Sequence, residues 1–252
     1  MKTCGYVVSG DASIYYESEG SGIPVLLLHG NGQSHAVFAA YADALKASYQ
    51  VILPDSRAHG LSRWRGGAKE KPRLSTDLLA EDVKCILDAL HLKRAVLFGF
   101  SDGANVALEA ASRYPERVLA VIVANGNALP QGLAFPVYEA VRLQSAVCSA
   151  AERICPLRGL RKALSHRRAL NELLLSSPGL SAARLHLIKA PVLLLAGDCD
   201  IIRLPHTKWM AAQIPQAKLV VFKGGTHALL FQRKEDCLDL IRSFLSGLRA
   251  GS

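Results

Sequence analysis

The chain has 252 residues, half of them hydrophobic, and 30 Lys and Arg against 21 Asp and Glu give it a formal charge of +9. That length suits one large α/β domain or two small ones, and the apolar content excludes a disordered chain. No apolar run approaches the ~20 residues of a membrane-spanning helix, so no membrane partner is expected.

In chain order, Tyr6–Val8 and Ser13–Glu17 flank Ser9-Gly10-Asp11 and predict an opening β-hairpin. Pro24–His29 is a continuous apolar run, the pattern of a parallel strand buried on both faces. Ala36–Ala47 carries helix formers, Gln50–Pro54 reads as the next strand, and Arg63–Arg73 as a charged, glycine-rich loop. Leu78, Leu79, Val83, Ile86, Leu87 and Leu90 form a helical stripe within Leu74–Leu90. Ala95–Phe98 and Val118–Ala124 are apolar strands on either side of a small-residue helix, Ala104–Ala111. Pro191–Ala196 and Lys218–Phe222 complete the strands, and a helix closes the chain over Glu235–Leu248.

Strand and helix alternate outside one interval, which predicts an α/β fold with a mostly parallel, eight-stranded mixed sheet flanked by helices. The exception is 127–187, helical in pattern and punctuated by Pro130, Pro136, Pro156 and Pro178. It is expected to form a helical cap inserted between two halves of a core, 1–126 and 188–252, over the carboxyl ends of the strands. Between Asn125 and Ala190 stand nine basic residues and three acids, a local excess of +6. Such an excess suits an anionic small molecule, although a basic helical face is commonly just solvated. Aromatics are sparse there and no nucleic-acid module accompanies the charge, so nucleic acid is not an expected partner.

The six cysteines are scattered, with no C-x-x-C pair, and are read as small apolar groups in a reducing compartment. The first ten residues lack the apolar core of a secretory signal, and a cytoplasmic location is expected.

Chemistry enters at Gly99-Phe100-Ser101-Asp102-Gly103, between a strand and a helix. Glycines two positions either side of the serine permit a sharp turn that projects its Oγ, at a helix N-terminus that favours developing negative charge. A serine hydroxyl needs a base to become a nucleophile. His227, in Gly224-Gly225-Thr226-His227 after a strand, is the candidate. His29, before the Gly30-Asn31-Gly32 turn, reads instead as a structural imidazole. The base needs a carboxylate to fix its tautomer, and Gly197-Asp198-Cys199-Asp200 offers two. Asp200 is chosen, placed to turn back over the sheet edge; Asp198 is expected to cap local N–H groups. After Val118–Ala124, the other place for such an acid, stand Asn125, Gly126 and Asn127. The backbone amides of Asn31 and Asp102 are the candidate oxyanion donors, each worth about 3 kcal/mol of barrier.

With these motifs in place, the chain resembles the α/β-hydrolases along nearly its whole length. The resemblance rests on His29-Gly30-Asn31-Gly32, Asp55–Ser62, Gly99–Gly103, Gly197–Asp200 and Gly225–His227, in the order Ser, Asp, His. It implies Ser101 as nucleophile, His227 as base and Asp200 as orienting acid, acting without a metal or organic cofactor. One departure is Ala58, where the family pattern has glycine. Asp55 and Arg57 are expected to bond the local loop backbone. Ser101-Asp102-Gly103, with Arg113-Tyr114-Pro115 after it, is similar to the biphenyl-hydrolase-like branch, which includes hydrolases of amino-acid esters. Asp102 is on that ground a candidate contact for a substrate ammonium. The expected function is hydrolysis of a small carboxylic ester through an acyl-enzyme. A thioesterase, a lactonase, a carbon–carbon bond hydrolase with the same triad, and a ligand receptor on the same fold remain alternatives.

Overall fold

The computed structural model describes residues 2–65, 74–176 and 178–249. Strands β1 (Thr3–Ser9) and β2 (Ala12–Glu19) form the hairpin, turning at Gly10 with φ +53°. Then come β3 (Pro24–Leu28), a 3-10 turn over His35–Phe38, α1 (Ala39–Leu45), β4 (Gln50–Pro54) and β5 (Arg63–Trp64). Helix α2 (Thr76–Ala89), β6 (Ala95–Phe100), α3 (Asp102–Arg113) and β7 (Val118–Ala124) follow. Helices α4 (Phe135–Ile154), α5 (Arg158–Ser176) and α6 (Ala182–His186) precede β8 (Val192–Gly197). The chain ends with α7 (Leu204–Gln213), β9 (Ala217–Phe222), α8 (Leu229–Gln232) and α9 (Lys234–Arg249).

Among the described residues the strands form one sheet in the order β1-β2-β4-β3-β6-β7-β8-β9. The first two pairings are antiparallel, and every pairing from β4 to β9 is parallel. The sheet has nine strands rather than eight. The extra one, β5, lies in the stretch read as loop, where Ala12 and Ser13 of β2 pair with Trp64 and Arg63. Two residues are too short a run for alternation to register in sequence. The remainder of that expected loop, 66–73, lies outside the described residues.

The apolar runs are buried on both faces, with alternate residues feeding opposite cores. Val25, Leu27, Val96 and Phe98 pack with Phe38, Tyr41 and Ile241 on the face covered by α1 and α9. Leu26, Leu28 and Leu97 pack with Val83, Ala107 and Met210 on the other, under α2, α3 and α7. Arg57 is 1% exposed and does not bond its local loop as expected. Its Nε and Nη2 donate to Asp82 at 3.0 and 2.6 Å, Nη2 also to the Ser9 carbonyl, and Nη1 to Asp11. The arginine thus ties the β1–β2 turn and α2 to the loop after β4. The six cysteines are all free thiols: Cys148 and Cys237 are buried, Cys85 and Cys155 half-buried, and Cys4 and Cys199 exposed.

Candidate active site

The turn after β6 has the conformation its glycines permit. Ser101 stands at φ 53°, ψ −121°, an arrangement a non-glycine residue holds at a cost of about 1–3 kcal/mol. Its neighbours over-determine it. The Ser101 amide donates to the Ala124 carbonyl at 2.9 Å, and the Ser101 carbonyl accepts from the amides of Ala104 and Asn105. A Cβ on Gly103 would lie 1.9 Å from the Leu28 carbonyl oxygen, and one on Gly99 would lie 2.2 Å from that of Gly103. Only glycine allows this passage of backbone over backbone.

Loops from β8 and β9 bring the other two groups to the same end of the sheet. A Cβ on Gly197 would stand 1.9 Å from the Gly225 carbonyl oxygen, so these loops run in contact. The Cys199 amide donates to Gly225 at 2.9 Å, and the Asp198 carboxylate accepts from the Gly224 amide at 2.6 Å, the capping role expected of it. His227 Nδ1 lies 2.7 Å from Asp200 Oδ1, and its Nε2 lies 3.0 Å from Ser101 Oγ. A carboxylate can only accept, so Nδ1 carries the proton and Nε2 is free to receive one from the hydroxyl. The Asp200 side chain is 1% exposed and the imidazole 27%.

Sequence reasoning missed Asn125. Its Nδ2 donates to Asp200 Oδ2 at 2.6 Å and to the Thr226 carbonyl at 3.3 Å. With the Ile202 amide on Oδ1 at 3.2 Å, the acid is held by three donors. Asn125 has φ 54°, a region asparagine tolerates better than most residues, and its buried Oδ1 has no partner. It stands directly after β7, the second place where an acid could have served.

The expected oxyanion donors are arranged as follows. Among the described residues, neither the Asn31 nor the Asp102 amide donates to a protein acceptor. The Asp102 amide opens α3, where N–H groups have no partner within the helix. The Asn31 side chain donates to Asp102 Oδ2 at 2.8 Å and to the Leu170 carbonyl of α5 at 3.0 Å. The His29 ring bonds the Gly30 carbonyl and the Ser56 amide, as a structural imidazole should, and burial lowers its pKa to about 4.

Asp102 does not present an open carboxylate to a substrate ammonium. It is 7% exposed, and its two oxygens accept from the side-chain amides of Asn31 and Asn105. The side chain therefore braces the turn. Burial pushes its carboxyl from the ordinary 3.8 up to about 6, against the pull of those amides and of nearby His227. The folded chain thus holds this proton more tightly than the unfolded one. Its contribution to stability is full below about pH 4 and is lost as pH rises through 6. The stability of the wild type relative to Asp102→Asn is expected to fall by on the order of 3 kcal/mol between those limits. Urea midpoints of both proteins across pH 4 to 7 measure it; a level difference would mean that the carboxyl titrates normally.

Among the described residues, nine strands, with parallel pairing from β4 to β9 and the serine turn after the central β6, define the architecture. A family model described as the alpha/beta hydrolase fold matches residues 23–146. The chain has the alpha/beta hydrolase fold. It is similar to an alpha/beta hydrolase from a Medee basin deep-sea metagenome, with a TM-score of 0.81 and 18% identity, over 96% of this chain and 97% of that one. Among curated relatives, it is 36% identical to RutD of Azorhizobium caulinodans over 127 residues, 50% of this chain and 46% of the relative. That match spans less than half the relative's length. A longer match, 29% identical over 92% of this chain and 98% of the relative, is to the pimeloyl-[acyl-carrier protein] methyl ester esterase of Chromobacterium violaceum.

Proposed function

We propose that the chain is a hydrolase that cleaves small carboxylic esters through an acyl-enzyme on Ser101. The observation that carries this reading is the single imidazole bonded to Asp200 on one side and to Ser101 on the other, at 2.7 and 3.0 Å. Likeness over most of the chain to a methyl ester esterase supports the same bond type. In acylation, Ser101 Oγ attacks the carbonyl carbon while its proton passes to His227 Nε2. The oxyanion so formed lies toward the amides of Asn31 and Asp102. The imidazolium, steadied by Asp200, returns the proton to the leaving alcohol as the carbon–oxygen bond breaks. Water, deprotonated by the same nitrogen, attacks the acyl-enzyme and releases the acid. Residues 127–187 act in this scheme as a cap, reaching the site through the Leu170 carbonyl on Asn31.

A fluorophosphonate probe and a panel of esters, thioesters, lactones and vinylogous diketones test the reading together. Labelling of the wild type but not of Ser101→Ala, with esters turned over fastest, is expected. A folded wild type that never labels would instead point to a receptor. Preference for another panel member would change the bond assigned and leave the nucleophile in place.

A further inference from the structure

A cleft of about 530 Å³ opens between α5 and the loops that follow β3 and β4. Its volume is that of a small-molecule site. Gln33 and His59 line it from the core, and His166, Arg167 and Leu170 from α5, with no carboxylate among its lining residues. Its Gln33 wall approaches the nucleophile: the point a Cβ on Gly30 would occupy is 3.0 Å from Gln33 Oε1 and 3.2 Å from Ser101 Cβ. At the other wall, the Leu170 carbonyl accepts from Asn31, one residue before Gly32 of the lining.

The charges of this cleft are unevenly committed. Arg168 is bound to Glu152 and Glu172 at 3.1 and 2.6 Å. Its neighbour Arg167, on the cleft wall, has neither an ion pair nor a hydrogen bond among the described residues. Both nitrogens of His59 are occupied, Nδ1 by the Arg57 carbonyl and Nε2 by the Gly32 amide. Desolvation, with Arg167 and Lys162 nearby, lowers the His166 pKa. One uncommitted guanidinium therefore faces a concave space that lacks any counter-charge.

We propose that the cleft recognises a carboxylate on the substrate through Arg167, and that the substrates are esters that also carry a free carboxylate, such as monoesters of short dicarboxylic acids. This rests on the hydrolase reading above. The planar fork of a guanidinium matches a carboxylate, and a single cation balances a single negative charge.

The test compares the para-nitrophenyl monoester of succinic acid with para-nitrophenyl isocaproate, its neutral isostere, in wild type, Arg167→Glu and Arg161→Glu. The ratio of kcat/KM for the anionic over the neutral ester should drop about ten- to a hundredfold in Arg167→Glu, mainly through KM. Arg161→Glu makes the same charge change on the same helix outside the cleft and should leave the ratio as it was. An unchanged ratio in Arg167→Glu, or an equal drop in Arg161→Glu, overturns the proposal. Should the wild type hydrolyse neither ester and resist the fluorophosphonate, the hydrolase reading is what fails. Calorimetry with succinate then decides the cleft: binding lost in Arg167→Glu sustains it, and no binding to the wild type removes it.

Discussion

Ser101→Ala and His227→Ala are each expected to lower kcat on an activated ester by about 10⁴ or more, and the double variant to be no worse than either single one. The three side chains act as one unit, so removing any member removes the proton path. Asp200→Asn should lose about 10⁴ as well, for a reason peculiar to this site. An amide at position 200 cannot satisfy three donors, and its own NH2 would be turned toward either His227 Nδ1–H or Asn125 Nδ2. The imidazole would then favour the wrong tautomer. Steady-state kinetics on proteins with unchanged circular dichroism checks this, and more than a tenth of wild-type kcat in Ser101→Ala would remove that residue as nucleophile.

The largest effect on stability is expected at Gly103. An alanine methyl there would meet the carbonyl oxygens of Leu28 and His29 at 1.9 and 2.6 Å, both backbone atoms beside the central sheet. Nothing nearby can rotate away, so α3 must lift from β3 or the serine turn must open. A loss of more than about 4 kcal/mol follows, enough to leave most of the chain unfolded. Gly159→Ala is the matched control. A methyl there meets nothing within 4 Å, and in the first turn of α5 it should be neutral or add up to about 1 kcal/mol. Soluble yield and thermal midpoints separate the two. A Gly103→Ala protein melting near the wild type would mean that the contact between α3 and β3 is looser than the distances imply.

Much of this arrangement was legible because parallel strands write themselves as continuous apolar runs, and each run here ends in a residue with special backbone or chemical demands. Ser101, Asp200 and His227 all follow such runs, and the sheet brings them together. What escaped notice has no periodic or motif signal. Arg57 looked like a loop-bonding residue because its partner Asp82 lies a helix away on α2. Asn125 is no carboxylate and so carries no catalytic signature of its own; its place directly after β7 is the one signal that marks it as a neighbour of the acid. Ala58 was noticed as a departure without its meaning: it has φ 63°, which accounts for glycine being the usual residue at that position. The burial of each cysteine, from exposed Cys4 to buried Cys237, depends on packing that local sequence does not encode.

The Asn31 side chain joins the end of α3 to a carbonyl in the middle of α5, while its own main-chain N–H points into the reaction centre under the proposed scheme. A shift of Leu170 by about an ångström would break that bond. Admission of a bulky guest and the alignment of the charge-stabilising loop are therefore mechanically joined: whatever props the roof open also slackens the floor.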